Sequence, residues 1–329
     1  EAKKEAFIRE IELGLAADAD PYLRVEVYLS VEKHRNGHHD EDHDDENGNG
    51  DNGEARRFRN GLRNGNGHEN GDEYHLEIEE AFGVYRGFSE GMTAKFGKFA
   101  GAVGRQNRNH RDQLNFLEYP IVLTELFGEH GLRAPGASFS YLLPGTQFNE
   151  LTFELLTPSD GPLFHDSDLR RPTYLGRFRT FYDFNEDWTA LLGVSYVNGP
   201  GEETRSTVFG VDFTTKWQPG EVGKSFVFES EAYWFRSGGD ERTNGFGMFA
   251  AGTYELAPRW FTTVKYDFVR VPESEEELRA WSAALTYRLT EFHHWRAEFQ
   301  RIMSNMHSAF NRLTFQMQWV IGAHPAHKY

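Results

Sequence analysis

Apolar and polar residues alternate along most of this chain with a period of two. Leu23, Val25, Val27, Leu29 and Val31 are interleaved with Arg24, Glu26, Tyr28, Ser30 and Glu32. In an extended strand the two sets face opposite sides. The pattern returns at Phe209, Val211, Phe213, Thr215 and Trp217 against Gly210, Asp212, Thr214 and Lys216. It returns again at Trp281, Ala283, Leu285, Tyr287 and Leu289, and at Leu313, Phe315, Met317, Trp319 and Ile321. It predicts strands over 7–17, 21–33, 74–85, 91–99, 133–143, 147–157, 173–184, 187–197, 206–217, 225–236, 245–256, 259–270, 279–289, 293–303 and 312–323. Most are long enough to cross a bilayer at a tilt, which takes about 9–11 residues, whereas a globular strand is nearer 5–6.

The connections alternate short and long. Short ones include 17–21, 143–146, 185–187, 256–259 and 290–292; long ones include 34–73, 100–132, 158–172 and 198–205. The 218–224 link is long for its class. Long loops confined to one end characterise up-and-down membrane barrels, and nothing in the physics of a soluble sandwich requires them. The expected fold is all-β, an up-and-down antiparallel transmembrane β-barrel. Fifteen strands are read, and an even number is usual, so about sixteen are expected, with one N-terminal strand missing or unread. The whole is expected to be one domain, 1–329, with long external loops at 34–73 and 100–132. An odd-stranded barrel and a soluble β-sandwich are the alternatives. The sandwich would bury Val25, Phe213 and Trp319 between two sheets.

Composition sharpens this picture. Fifty-one Asp and Glu against 35 Lys and Arg give a formal charge of −16. That is a poor match for nucleic acid, which needs basic patches, so no nucleic-acid partner is expected. There is no cysteine, which excludes disulfides, thiolate metal sites and thiol catalysis. Residues 1–10 are charged and contain no apolar signal-peptide core, so an exported protein would here be a mature or trimmed form. Aromatics make up 15% of the chain, and Trp217, Trp260, Phe261, Trp281, Tyr287, Trp295 and Trp319 fall near strand ends or on apolar faces. In a bilayer they would form interfacial girdles. The chain closes on Tyr329, as barrel proteins often close on an aromatic.

Several segments resemble the phosphate-selective porin O/P type of outer-membrane protein. Ile78-Glu79-Glu80-Ala81-Phe82 followed by Gly91-Met92-Thr93-Ala94-Lys95-Phe96-Gly97-Lys98-Phe99 looks like that family's acidic strand and its Lys-x-Gly-(Lys/Arg)-Phe strand. Gly104, Asn107, His110, the run Leu114 to Leu117, Pro120 and the closing 321–329 segment are also similar. The resemblance implies a bacterial outer-membrane porin-type barrel of sixteen strands, assembled as a homotrimer and passing small hydrophilic solutes or ions. Its surroundings would be the lipid bilayer and a lipopolysaccharide-type outer leaflet. It does not extend to phosphate selectivity, because the family's dense lysine ladder is not found here. An alternative role is an outer-membrane anchor or scaffold for a surface layer or an electron-transfer partner.

Three groups of residues could carry the chemistry. Strand alternation puts Glu10, Glu12, Arg24, Glu26, Glu77, Glu79, Lys95, Arg177, Arg179, Asp212, Lys216, Arg288, Arg296 and Glu298 on the inner face, where they line a pore or brace the wall. The same alternation places Glu80 on the lipid face, so a bulge or a register slip is expected there. The 100–132 loop is unusually apolar for a solvated segment. It would either fold inward as a constriction presenting Arg105, Arg108, His110 and Arg111, or form an outer lid or subunit contact. In the 34–73 loop, His38, His39 and His43 lie among Asp40 and Asp42, a donor set suited to weak divalent-metal binding, although a mobile solvated loop has the same composition. An EF-hand reading from Asp45 fails because position twelve is Arg56. No cofactor is expected. There is no nucleophile elbow, P-loop or His-Glu-x-x-His motif, so no enzymatic activity is expected.

Overall fold

The computed structural model describes residues 6–34, 73–158, 161–164, 171–220, 223–239, 243–272 and 274–321. Fifteen strands follow one another in the chain and pair strictly with their sequence neighbours, every pair antiparallel, in a single sheet. They are β1 (Glu10–Asp18), β2 (Leu23–His34), β3 (Glu73–Tyr85), β4 (Met92–Ala100) and β5 (Arg133–Leu142). There follow β6 (Phe148–Leu156), β7 (Thr173–Asp183), β8 (Trp188–Pro200), β9 (Arg205–Trp217) and β10 (Phe226–Arg236). The last five are β11 (Asn244–Ala257), β12 (Trp260–Arg270), β13 (Glu277–Thr290), β14 (His293–Ser304) and β15 (Phe310–Trp319). Each predicted strand has its counterpart. Between β4 and β5 lie two 3-10 turns, Gln106–Arg108 and Arg111–Gln113, and one short helix, α1 (Ile121–Phe127). No helix among the described residues is long and apolar enough to cross a membrane.

One face of the sheet is apolar and open, and the other is polar and covered. Val25 is 38% and Trp319 61% exposed, which rules out a sandwich that would bury them between two sheets. Leu15, Phe153, Tyr196, Phe209, Val264, Leu285, Phe299 and Phe315 are likewise exposed. Aromatics gather at both margins of this face. Trp188 with Trp217 (6.2 Å between ring centroids), Trp260 with Tyr287 (4.6 Å) and His293 with Trp319 (5.1 Å) lie at the short-turn end. Trp234 with Phe246 (5.3 Å) and Tyr266 with Trp281 (4.6 Å) lie towards the long-loop end. On β9, Phe209 and Trp217 are about 26 Å apart along the strand. A tilt of about 40° reduces that to about 20 Å of height, close to the apolar band of a membrane barrel.

The inner face is polar near the short turns and becomes apolar towards the long loops. Val197, Val208, Phe235, Phe249, Val269 and Leu278 point inward there and pack with α1 in one cluster. The β2–β3 pairing slips between Tyr28 and Leu29. The bulge turns both Glu79 and Glu80 inward, where both are buried. This is the irregularity that the alternation required at Glu80.

Among the described residues β1 and β15 do not pair with each other, and each leaves one edge free. In an alternating order the first and fifteenth strands run in the same direction, so an antiparallel partner would have to stand between them. No strand among the described residues occupies that place. The two edges are linked through one carboxylate: Glu118 pairs with Arg9, just before β1, and with Arg312 on β15 (3.4 Å).

Candidate functional site: an inward segment bolted to a charged wall

Residues 101–132 leave β4, turn into the sheet's concave interior and return to β5. Irregular backbone buried at membrane depth must have its polar groups satisfied by protein. Asn107 closes the neck: its Nδ2 donates to the carbonyls of Gly101 (2.8 Å) and Leu132 (3.1 Å), and its Oδ1 accepts from Leu132 N (2.7 Å). Gly104 takes a positive φ of 58°, and a Cβ there would lie 2.0 Å from the Tyr233 hydroxyl.

Inward side chains of the wall then take up the segment's backbone one group at a time. Glu154 on β6 accepts from Ala102 N at 2.8 Å. Glu231 on β10 accepts from Arg105 N (2.6 Å) and Gln106 N (2.7 Å). Arg296 on β14 donates to the carbonyls of Leu114 and Phe116, both at 2.9 Å, and Glu298 accepts from Leu117 N at 3.0 Å. On β12, Lys265 donates to Glu118 O (3.2 Å) and Asp267 accepts from Ile121 N (3.1 Å). Beyond Pro120, α1 lies on β11 and β12. Gly247 makes the approach possible, since a Cβ there would sit 2.4 Å from Val122 Cγ2.

The four expected constriction residues all lie in the interior, in different electrostatic settings. Arg105 is spent on Glu229 (2.6 Å) and Thr214 (3.1 Å). Arg111 lies among Glu129 (3.5 Å), Glu118 (3.7 Å) and Glu10 (3.9 Å). His110 crosses to the opposite wall, 3.2 Å from Glu12 and 3.5 Å from Glu79, with Tyr28 against its ring. Burial disfavours its charge, but hydrogen bonds and attraction from Glu12, Glu79 and Glu80 prevail and push the imidazole up to about 10. Arg108 is pulled down to about 10 by burial and by the nearby Arg179 and Arg177, and stays charged at neutral pH. Of the segment's arginines, Arg105 and Arg111 thus face wall or neighbouring carboxylates, while Arg108 lies near Arg177 and Arg179.

The predicted lining residues divide between bracing and open positions. Arg177 and Asp212 form a buried pair (2.9 Å), with Arg177 also donating to the Gly104 carbonyl. Arg296 and Glu298 hold the segment, as described. Nearer the short turns, Arg179 pairs with Glu150 (2.7 Å), Arg288 covers the Phe261 ring (4.2 Å) and Lys216 is half-buried. Lys95 sits over Phe82 and Phe99 (4.8 and 4.7 Å). Arg24 pairs with Glu26 (2.8 Å) and Asp18 (3.4 Å), while Glu77 meets Lys98 (2.9 Å). A recess of about 210 Å³ opens beside them, lined by Ser30, Glu32, His75, Glu77 and His130. The candidate metal residues His38, His39, His43, Asp40 and Asp42 lie outside the described residues.

Sequence reasoning missed Glu154, Glu229, Glu231, Lys265 and Asp267, which perform most of the bolting. Their alternation on β6, β10 and β12 was visible; their partners in the inward segment, about fifty to nearly 150 residues away, were not.

One apolar-faced antiparallel sheet in up-and-down order, wrapped around a charged interior that holds a segment, is the fold of the outer-membrane porins. The chain is similar to the outer-membrane channel DcaP of Acinetobacter baumannii (TM-score 0.56, 12% identity, covering 94% of this chain and 84% of that one). It is similar to the in-vitro folded trimer form of OmpT, an outer-membrane protein of Vibrio cholerae (0.51, 10%, 90% and 80%). It is also similar to Salmonella typhi OmpF in complex with daunomycin (0.50, 10%, 88% and 81%). In sequence it is 26% identical over 299 residues to an uncharacterised protein of Aquifex aeolicus (strain VF5), covering 77% of this chain. The match spans 63% of that protein's length. No family profile matches the chain.

Proposed function

We propose that the chain is an outer-membrane channel that passes small hydrophilic solutes or ions by diffusion, narrowed by its inward segment. The observation that carries this reading is the division of the sheet into an apolar, aromatic-rimmed outer face and a charged inner one. In hydrocarbon the reverse placement would cost about 2–4 kcal/mol for each Lys or Arg near the midplane. The folds of DcaP and OmpF support the reading, and the trimer form of OmpT supports a homotrimer. The resemblance to the phosphate-selective O/P type rests on 78–82 and 91–99 and belongs to the same proposal.

On β2 and β3 the inner face carries Glu26, Glu32, Glu77, Glu79 and Glu80 against the paired cations Arg24, Lys98 and Arg133, so carboxylates are in excess there. Rings and rows of carboxylates favour cations. Planar-bilayer recordings in asymmetric KCl test the reading. Stable conductance steps with a reversal potential of cation sign are expected; a silent bilayer contradicts it.

A second reading draws on the filled outer half of the interior, where Phe99, Val122, Leu126 and Phe164 are almost wholly buried. A barrel so packed would serve as an anchor or scaffold for a surface or electron-transfer partner. It predicts no conductance, and a partner that remains bound through detergent extraction.

A further inference from the structure

We infer that Glu12, Glu79 and His110 form a site for a divalent cation of the zinc class, which pins the inward segment to the β1–β3 wall. One candidate donor atom from each residue lies within 4.8 Å of the other two. His110 Nδ1 is 3.2 Å from Glu12 Oε2 and 3.5 Å from Glu79 Oε2. A tetrahedral zinc with bonds of about 2.0–2.1 Å holds its donor atoms about 3.3–3.4 Å apart. The two spacings from His110 are thus close to those of a coordination sphere.

The hydrogen bonding points the same way. A single Nδ1–H can serve one acceptor well, and here it faces two carboxylates. Glu79 is 7% exposed, and its Oε2 has no well-formed hydrogen bond, its nearest donor being His110 Nδ1 at a long 3.5 Å. A buried carboxylate oxygen left in that state is costly. Its other oxygen lies in an ion pair 3.0 Å from Arg133 Nη2, so Oε2 is the atom turned towards an ion. A cation in place of the shared proton would satisfy Nδ1 and both carboxylate oxygens at once. On the far side of the ring, Glu80 Oε1 stands 3.9 Å from Nε2, beyond hydrogen-bond distance, and adds negative charge beside the site. The cations facing the site are Arg133 and Arg111; Glu10, Glu12, Glu79 and Glu80 outnumber them.

The site differs from the histidine-rich 34–43 run, and it joins three parts of the fold: an edge strand, a bulge and the inward segment. It is independent of whether the barrel conducts.

The test is titration of the full chain, stripped of metal and held in detergent micelles, with Zn²⁺ alone, repeated with Co²⁺ to read the ligand field. One tight equivalent is expected in the wild type, retained when His38, His39 and His43 are replaced together by alanine. Its affinity should fall only modestly in Glu80→Gln, which removes a nearby negative charge but no ligand. His110→Gln and Glu12→Gln should each abolish it. Glu12 sits on a free edge, so its variant tests the site even if His110→Gln fails to fold. Zn²⁺ should raise the Tm of the wild type but not of Glu12→Gln. An unchanged affinity in Glu12→Gln overturns the proposal, as does a wild type that binds no tight equivalent, or one whose tight equivalent disappears with the three loop histidines.

Discussion

Arg296, on β14, donates from Nη1 to the backbone carbonyl of Phe116 at 2.9 Å, linking positions 180 residues apart. Its Nη2 reaches the Leu114 carbonyl and its Nε the Thr286 hydroxyl at 3.1 Å, so one side chain fixes both wall and segment. Arg296→Ala strands two carbonyls, each costing about 1–3 kcal/mol if left unsatisfied. The expected result is a lower unfolding midpoint in urea and a noisier, larger single-channel conductance.

Arg177 and Asp212 form a buried pair next to the Gly104 carbonyl. Removing one partner leaves an uncompensated charge, worth about 3–5 kcal/mol. Arg177→Met alone should lower stability by that order. The double variant Arg177→Met/Asp212→Leu should recover much of it, because two well-packed apolar groups carry no such penalty. Equal losses in the single and double variants would contradict the pairing.

The strand content was legible in the sequence because an up-and-down sheet with one apolar and one polar face writes its pattern residue by residue along every strand. The bulge was legible as a fault in that pattern at Glu80. The inward course of 101–132 was open to two readings, since Leu114, Phe116 and Leu117 would suit a lid or a constriction equally. What decided it were pairs such as Glu231 with Arg105 N and Asp267 with Ile121 N, which join a side chain to a backbone group. A backbone amide has no letter of its own in a sequence, so such pairs leave no trace there. The acidic wall at Glu12 and Glu79 was visible, but its meeting with His110 depends on how far the segment crosses the interior.

Glu118 gives the seam between β1 and β15 its pH dependence. Burial pushes its carboxyl up, but Arg9, Arg312 and Arg111 prevail and hold it at about 2, below its ordinary value of 4.5. A depressed carboxylate contributes stability that is fully present above the unfolded value. That contribution is lost as pH falls from about 4.5 towards about 2. Thermal melts in detergent should therefore lose stability over that window, and Glu118→Gln should be less stable at neutral pH with a shallower acid dependence. A variant whose acid profile parallels the wild type would refute the assignment.

Gly247 sets the distance between α1 and the wall. A Cβ there would meet Val122 Cγ2 at 2.4 Å and Val269 Cγ2 at 3.0 Å. Gly247→Ala should cost about 1–3 kcal/mol through overpacking. Adding Val122→Ala should restore most of it, and a double-mutant cycle from urea midpoints reads the coupling.

Residues 101–132 occupy the interior, and under the proposed channel function they limit its flow. Single-channel conductance in 1 M KCl, compared between the wild type and a chain in which 106–118 is replaced by a short Gly-Ser linker, tests it most directly. Small, stable steps are expected for the wild type and clearly larger ones for the shortened chain. Equal conductance in the two, or no steps from either, would contradict this expectation.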